Sequence, residues 1–415
     1  MTTARPSEST TSNGERGVPD WGRSVAAGLL VYGATLVPVF LGVLAGFRSA
    51  TPGREIPYGR DSLLLRFAAW DGGQFMQIMD AGYQYDPDRI SNIVVFPGYP
   101  LLGLGVQMCT GLSSAASLLV VSHLCLIAAL MLYHRLIGIR FGGVVCADVS
   151  LAALALLPPT FFWRMAYSEA PFVLLEVMFL YGVRRNWGFP CLALIVGVST
   201  GFRLVGVAMI IPLAMEWFSR QGFGVRSLYR GSLLLPLSLS GVLAFMAFQW
   251  IRLGDPILFV RGQDSFYLRM PVSSVEHWYR LVTLEPILGN YLAGSSSYWR
   301  LHSPTPNVLF NLQFWNPVWF CFAVVLVCYG WFRRILTDPE SALGFALLLI
   351  PYLGRAEEFC MGSQARYASV ALPAMMVLGI LLHRVPRWCR VCAAIIAAGL
   401  LAAYSAYFAA WYFFL

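Results

Sequence analysis

Residues 70–100, WDGGQFMQIMDAGYQYDPDRISNIVVFPGYP, are the one long segment in the first half of the chain that combines acidic and aromatic side chains between strongly apolar runs. Asp71, Gln74 and Ile78 recur at three- and four-residue spacing. This spacing places them on one face of a predicted short helix that begins at Asp71. Gly82 ends the pattern, and the segment re-enters apolar sequence at residues 96–100. We expect the functional chemistry in this polar segment, which lies between two predicted membrane spans.

The composition around this segment indicates a membrane protein. Hydrophobic residues make up 58% of the 415 residues and charged residues only 12%, and the mean hydropathy is +0.65. Apolar runs of about 20 residues, the length that crosses a bilayer as a helix, recur from Ser24 onward, about eleven in all, and one of them covers about residues 144–162. Helices satisfy their own backbone hydrogen bonds in lipid, so the sequence predicts an all-α polytopic bundle of about 11 transmembrane helices.

The net charge of +8 does not indicate a nucleic-acid surface. The chain contains no lysine, and its arginines lie near the ends of predicted spans, so membrane topology explains the excess better. The nine cysteines lie mostly in apolar runs, as small buried hydrophobic residues do. His277 and His302 lack metal-ligand spacing. We therefore expect no nucleic-acid partner, no metal and no cofactor.

The arginines also predict the topology. The short links between spans carry most of them, which favours a cytoplasmic position for these links and for the N-terminus. Residues 1–23 are then a predicted disordered cytoplasmic tail, and residues 24–415 one transmembrane domain. Two long loops, about residues 48–96 and 252–307, fall together on the extracytoplasmic side.

Asp71 is the leading catalytic candidate. A carboxylate near the membrane surface can act as a general base that takes a proton from a hydroxyl nucleophile. The alternative interpretation is a helix N-cap that binds the amide of Gly73 or Gln74. Asp80 is the weaker acid, which either faces the same cavity or caps the turn into Gly82.

Three charged residues at the outer ends of predicted spans are candidates for substrate binding. Glu169 lies so close to hydrocarbon that it is a functional candidate by default, and the alternative is an ion pair with Arg164. Arg203 and Arg366 carry guanidinium groups that suit the phosphate of a departing lipid carrier. The alternative for either arginine is a side chain that extends to the lipid headgroups.

Aromatic and amide side chains complete the predicted set. Trp70 and Tyr83 could stack on sugar rings, although an interfacial aromatic belt explains them equally well. Gln263 in the second long loop could contact a polar substrate, and structural packing of that loop is the alternative. Gln74, on the same face as Asp71, and Tyr367, next to Arg366, complete the candidates.

The order of these motifs resembles the family of GPI mannosyltransferases that add the second mannose (PIG-V-like), within the GT-C class of integral-membrane glycosyltransferases. The resemblance covers most of the chain beyond residue 60, and each motif is short. The matching segments are Trp70-Asp71, Gly82-Tyr83, Phe96-Pro97-Gly98-Tyr99-Pro100, Tyr167-Ser168-Glu169, Thr200-Gly201-Phe202-Arg203, Gly254-Asp255-Pro256 with Gln263 downstream, and Arg366-Tyr367 with Pro373.

The resemblance implies an inverting transferase that moves mannose from polyprenyl or dolichyl phosphate to an acceptor hydroxyl on a glycolipid or glycan. It implies that Asp71 is the catalytic base and that the active site faces away from the cytoplasm. The sequence Gly72-Gly73-Gln74 after Trp-Asp is similar to bacterial relatives and departs from the eukaryotic pattern, as does the absence of lysine. We therefore expect a multi-pass protein of a bacterial inner membrane, and the resemblance does not identify its acceptor.

The rival interpretation is a transporter or flippase for lipid-linked sugars, in which Asp71, Glu169 and Arg203 line a translocation path. Transporters tend to place ionisable residues near mid-membrane and to contain broken helices or paired repeats. Here the charged residues cluster at predicted span ends, which favours the enzyme.

Overall fold

The computed structural model describes residues 17–49, 62–86, 91–263, 273–302, 307–356 and 359–412. Within these ranges all regular secondary structure is helical and no strand occurs, which confirms the predicted all-α class. Residues 1–16 of the predicted N-terminal tail lie outside the described ranges, and the first helix begins at Trp21.

Helices of the first half of the chain are α1 (Trp21–Arg48), α2 (Leu63–Phe67), α3 (Asp71–Ala81), α4 (Gly98–Thr110), α5 (Ser114–Phe141), α6 (Val144–Leu156), α7 (Glu169–Arg184) and α8 (Phe189–Phe202). The middle of the chain forms α9 (Ile210–Gln221), α10 (Val225–Ser232), α11 (Leu235–Ser238), α12 (Ser240–Leu253), α13 (Leu258–Arg261), α14 (Val275–Val282), α15 (Glu285–Gly289) and α16 (Trp299–His302). The last part forms α17 (Leu312–Phe332), α18 (Asp338–Arg355), α19 (Gln364–Ser369), α20 (Leu372–His383) and α21 (Arg387–Ala409). Short 3₁₀ helices cover Asn92–Val94, Pro158–Arg164, Leu204–Met209, Val308–Phe310 and Phe359–Met361.

Within the described ranges, four helices are individually long and apolar enough to cross a bilayer: α1, α5, α17 and α21. The apolar run predicted as one span over residues 144–162 is broken instead, because α6 and the 3₁₀ helix Pro158–Arg164 meet at an angle of 80°. Pro158 and Pro159 account for the break, since a proline ring prevents the preceding helix from continuing. Several other predicted spans are shorter helices, so the bundle combines long and short membrane segments.

Glycines allow two helix pairs to pack backbone against backbone. On α1, a Cβ at Gly42 or Gly46 would lie 2.1 or 2.2 Å from a carbonyl oxygen of α21. On α8, a Cβ at Gly197 would lie 2.0 Å from the carbonyl oxygen of Leu237, and one at Gly241 of α12 would lie 2.2 Å from the amide nitrogen of Gly201. Gly42 and Gly46 on α1, and Gly197 and Gly201 on α8, have the small-xxx-small spacing that membrane helices use for close approach.

In their described parts, the two long loops predicted from the sequence contain several short helices and contact each other. Gln249 Nε2 donates to the carbonyl of Ile93 (3.2 Å), and its Oε1 accepts from the amide of Phe259 (3.1 Å). Phe96, Phe245 and Phe259 form a small aromatic cluster at the same junction. One amide side chain therefore joins the segment after α3 to the segment after α12.

The opposite end of the bundle has its own charged cluster. Glu340, at the start of α18, accepts hydrogen bonds from Arg140 of α5 (3.2 Å) and Arg184 of α7 (2.6 Å). Pro19 packs against Gly138 of α5, so the start of the described chain lies at this end as well. The predicted grouping of the N-terminus with the arginine-bearing links agrees with these contacts.

Candidate functional site

Asp71 is held at the first position of α3 by an unusual backbone conformation. The preceding residue, Trp70, has φ 60° and ψ −121°, a region that a bulky side chain rarely adopts. Contacts with the region of α21 help to hold Trp70 there, because its Nε1 donates to the carbonyl of Phe408 (3.4 Å) and its ring packs against Trp411 with centroids 5.0 Å apart. The amide of Asp71 donates to the hydroxyl of Tyr167 (3.2 Å).

The Asp71 carboxylate binds an arginine from the far end of the sequence. Nη1 of Arg366 on α19 donates to Asp71 Oδ2 (2.6 Å). The Asp71 side chain is 41% exposed, whereas the Arg366 side chain is 8% exposed. The N-cap alternative is wrong, because Trp70 occupies the cap position and no side chain caps α3. The Asp71 carboxylate is therefore partly exposed to solvent and also bonded to the guanidinium group of Arg366.

Glu169 binds the same guanidinium group of Arg366 through a different nitrogen. Its Oε1 accepts from Nε of Arg366 and from Nη1 of Arg203, which lies where α8 ends. The Glu169 side chain is fully buried, and its Oε2 has no hydrogen-bond partner. A buried carboxylate of this kind needs opposite charge close by to remain ionised. Two arginines supply that charge and are fixed in return.

The alternative interpretation of Glu169, an ion pair with Arg164, is wrong, because Arg164 binds other groups. Arg164 is fully buried and donates to the carbonyls of Thr160 (3.1 Å) and Ala155 (3.2 Å) and to the hydroxyl of Thr35. The two carbonyl acceptors lie around the break between α6 and the following 3₁₀ helix, where carbonyl groups lack helical partners, and Thr35 lies on α1. Arg164 thus stabilises the broken helix instead of the candidate site.

Aromatic rings surround the two central arginines. The guanidinium carbon of Arg366 lies 4.7 Å from the ring centroid of Tyr167, and that of Arg203 lies 5.2 Å from the ring centroid of Tyr367. The guanidinium carbon of Arg355, in the last turn of α18, lies 5.4 Å from the ring centroid of Tyr367, and its Nη1 donates to the Tyr367 hydroxyl. Cation–π contacts of this kind are strongest where water is excluded. They hold the guanidinium planes in fixed orientations.

The structure thus brings five of the predicted residues together: Asp71, Glu169, Arg203, Arg366 and Tyr367. The two acids and the two arginines balance in formal charge. Both carboxylates are engaged by guanidinium groups, and no cluster of three or more His, Cys, Asp or Glu side chains suited to a metal occurs among the described residues. Chemically, the cluster offers a half-exposed proton acceptor beside fixed cationic donors.

Asp80 and Tyr83 lie outside this cluster. Asp80 is exposed near the end of α3 and accepts a hydrogen bond from Ser114 at the start of α5. Tyr83 donates to the carbonyl of Val95 (2.8 Å), and its ring packs on Phe245 with centroids 5.4 Å apart. Burial raises the pKa of Tyr83 above its ordinary value. These contacts position the segment that follows α3.

Trp70, Gln74 and Gln263 have different surroundings. Trp70 is packed against the end of the chain, as described above, and Gln74 lies partly exposed on the first turn of α3. Gln263 donates to the carbonyl of Phe259 (3.3 Å) one turn earlier, near the junction of the two long loops. Their roles in substrate binding remain predictions.

Sequence reasoning gave no role in the site to Tyr167 and Arg355. Tyr167 links three parts of the cluster, because its hydroxyl accepts from the Asp71 amide, donates to the Ala69 carbonyl (3.3 Å) and its ring faces Arg366. Its position two residues before Glu169 was the available signal. Arg355 lies at the end of an apolar helix, where an arginine has no distinctive pattern.

Comparisons with known proteins give distant structural similarity. The chain is similar to the crystal structure of ArnT from Cupriavidus metallidurans bound to undecaprenyl phosphate, with a TM-score of 0.46 and 15% identity over 86% of this chain and 60% of that chain. It is also similar to the apo structure of the Archaeoglobus fulgidus oligosaccharyltransferase, with a TM-score of 0.43 and 14% identity over 92% of this chain and 56% of that chain. The chain therefore spans less than two thirds of the length of either structure. No family model matches the sequence, and no curated protein matches it.

Proposed function

We propose that this protein is a GT-C-type membrane glycosyltransferase that moves a sugar from a polyprenyl phosphate to an acceptor hydroxyl. The observation that carries the proposal is the cluster in which half-exposed Asp71 contacts the buried Arg366–Glu169–Arg203 network. It combines a proton acceptor with fixed cations, the two kinds of group that such a transfer needs. The resemblance of the motifs supports mannose as the sugar and a glycolipid or glycan as the acceptor.

The proposed step is a single inverting displacement. Asp71 takes the proton of the acceptor hydroxyl as the acceptor oxygen forms a bond to C1 of the sugar. The bond between C1 and the phosphate oxygen breaks, and polyprenyl phosphate leaves with the electron pair. A positioned general base contributes about 10²–10⁴-fold to such a rate. Fixed arginines stabilise the charge that grows on the leaving phosphate.

Arg366 connects removal of the acceptor proton by Asp71 with departure of the lipid phosphate. In the structure its Nη1 binds Asp71, while its Nε binds Glu169. A donor phosphate competes with Asp71 for Nη1, because Asp71 is half exposed and can move, whereas buried Glu169 cannot. Once the phosphate holds Nη1, the Asp71 carboxylate is free to accept the acceptor proton. We infer that the donor binds before the acceptor.

Transfer of labelled mannose from polyprenyl phosphate mannose in proteoliposomes tests the proposed reaction. We expect Asp71→Asn to reduce the rate by at least about 100-fold, since an amide cannot act as the base. Asp338→Asn is the matched control, because Asp338, the first residue of α18, is an exposed carboxylate that pairs with Arg334. Transfer at the wild-type rate by Asp71→Asn contradicts the assignment of the base.

Binding of polyprenyl phosphate alone tests the exchange at Arg366. Asp71→Asn removes the negative charge that competes for this arginine, so we expect the variant to bind the lipid phosphate as tightly as the wild type or more tightly. Weaker binding by Asp71→Asn would show that the carboxylate helps to hold the donor, and the proposed exchange would be wrong.

One observation favours the rival function, transport of lipid-linked sugars. The 80° break between α6 and the 3₁₀ helix Pro158–Arg164 places buried Arg164 inside the bundle, and broken helices with buried charges are typical of transporters. Movement of a fluorescent lipid-linked sugar between leaflets, without any acceptor, tests this function. Movement that persists in Asp71→Asn while transfer is absent favours the transporter.

A further inference from the structure

Helix α10 exposes an apolar stripe at the end of the bundle away from the candidate site. Val225, Leu228 and Tyr229 are 88%, 60% and 67% exposed, and no residue of α10 is buried. Their spacing of three and four residues places them on one face of the helix. Phe223 and Leu233 extend the apolar surface beyond the two ends of the helix. A stripe of this kind needs an apolar partner.

Two arginines lie one turn apart beside this stripe. Arg226 and Arg230 have the i, i+4 spacing, and neither makes an ion pair or a side-chain hydrogen bond to any residue that the structure describes. Like charges at this spacing destabilise an isolated helix. Arg140 and Arg184, at the same end of the bundle, are by contrast both paired with Glu340. The two arginines of α10 are therefore available to an external anion.

The contacts of α10 with α9 fix its position. Trp217 Nε1 donates to the carbonyl (3.0 Å) and the hydroxyl (3.1 Å) of Ser227. A Cβ at Gly231 would lie 2.8 Å from the same nitrogen, so the glycine permits this close approach. Arg220 donates to the carbonyl of Val183 (3.0 Å), at the end of α7 opposite Glu169. The helix is thus anchored where apolar helices of the bundle end.

We propose that α10 is an interfacial helix that binds the anionic phospholipids of the leaflet opposite the candidate site. The apolar stripe enters the boundary between headgroups and acyl chains, and Arg226 and Arg230 bind the lipid phosphates. A second copy of this chain fits less well as the partner, because pairing the same stripe would bring four arginines together. The proposal is independent of the reaction at Asp71.

Helix α14 provides an internal comparison. Val275, Tyr279 and Val282 are also exposed along one face of this helix. Its arginine, Arg280, is however bound to Glu276 on the same helix (2.6 Å). The two helices therefore share an exposed apolar face but differ in free positive charge. Only α10 is expected to respond to the charge of the lipid.

Fluorescence of a label on each helix tests the proposal. Leu228→Cys on α10 and Val282→Cys on α14 are labelled with an environment-sensitive fluorophore, after exposed Cys109, Cys191 and Cys392 are replaced by serine. The protein is placed in phosphatidylcholine vesicles with or without phosphatidylglycerol, and quenching by spin-labelled lipids is measured. We expect the anionic lipid to increase quenching at position 228 by at least about twofold and to leave position 282 unchanged.

The variant Arg226→Gln/Arg230→Gln separates charge from apolar burial. We expect it to remove the response to phosphatidylglycerol at position 228 while thermal unfolding stays as in the parent protein. Equal quenching at position 228 in both lipid mixtures overturns the proposal, as does a response that the double variant retains. Quenching that falls as the protein-to-lipid ratio rises would identify a second copy as the partner and would also overturn it.

Discussion

At the scale of single residues, the candidate site depends on Arg366. This guanidinium group contacts both carboxylates of the cluster, one half exposed and one fully buried, and it lies against the ring of Tyr167. Nη1 and Nε donate in different directions, which one ammonium group cannot reproduce with the same geometry. The identity of this residue therefore matters as much as its charge.

Arg366→Lys is expected to lower the rate of transfer by about 100-fold, because a lysine cannot bind Glu169 and a phosphate together in fixed orientation. The Michaelis constant for the lipid donor is expected to rise in the same variant. Arg333→Lys, at the opposite end of the bundle, is the control. A variant that retains the wild-type rate and Michaelis constant would show that Arg366 has no part in donor binding.

Glu169→Gln is expected to destabilise the fold, since it leaves two buried arginines without their shared carboxylate. Breaking a buried ion pair on one side costs about 3–5 kcal/mol in the free energy of unfolding. Glu276→Gln, which breaks an exposed pair, is expected to cost less than about 1 kcal/mol. Titration with a denaturing detergent measures both, and equal values would contradict the burial described for Glu169.

At the scale of secondary-structure elements, close packing of α8 against α12 positions Arg203. Gly197 and Gly201 of α8 face Leu237 and Gly241, and the hydroxyl of Thr200 accepts from the amide of Val242 (3.1 Å). Arg203 follows directly where α8 ends. The distance between the two helices therefore determines where this guanidinium group lies relative to Glu169.

Gly241→Ala is expected to lower both stability and the rate of transfer. The added methyl group would overlap the backbone of Gly201, and overpacking of this kind costs about 1–3 kcal/mol. Gly399→Ala on α21 is the control, because no atom lies within 4 Å of its added Cβ. Thermal unfolding in detergent and the transfer assay measure the two effects. Wild-type behaviour of Gly241→Ala would show that α8 and α12 are not in such close contact.

The sequence predicted the elements better than their contacts. Helix α3 begins at Asp71 and ends before Gly82 as its spacing indicated, because local periodicity determines both limits. The ion pair of Asp71 with Arg366 joins residues 295 positions apart, and no local pattern encodes such a distance. Hydropathy likewise predicted one span over residues 144–162, since it does not register the change of direction at Pro158 and Pro159.

At the scale of the whole molecule, two charged clusters lie at opposite ends of the bundle. One joins Asp71, Glu169 and two arginines, and the other joins Glu340 to Arg140 and Arg184. Helix α7 connects them, because Glu169 is its first residue and Arg184 its last. The first cluster is proposed to catalyse sugar transfer. The second connects α5, α7 and α18 through ion pairs.

Glu340→Gln tests this division. The side chain is 6% exposed and bonded to two arginines, so we expect the variant to lose about 3 kcal/mol in the free energy of unfolding. Transfer per folded molecule is expected to remain at the wild-type value, since the site lies at the other end. A loss of transfer that exceeds the loss of folded protein would show that the two clusters are coupled.

The conformation of Trp70 has a consequence for how the protein matures. A bulky residue at positive φ is retained only where surrounding contacts hold it, and here they include contacts with Phe408, 338 positions further along the sequence, and with Trp411. Until α21 has packed against this segment, the contacts of Trp70 with Phe408 and Trp411 are absent. If Asp71 has the proposed role, docking of α21 is therefore a late folding step on which activity depends.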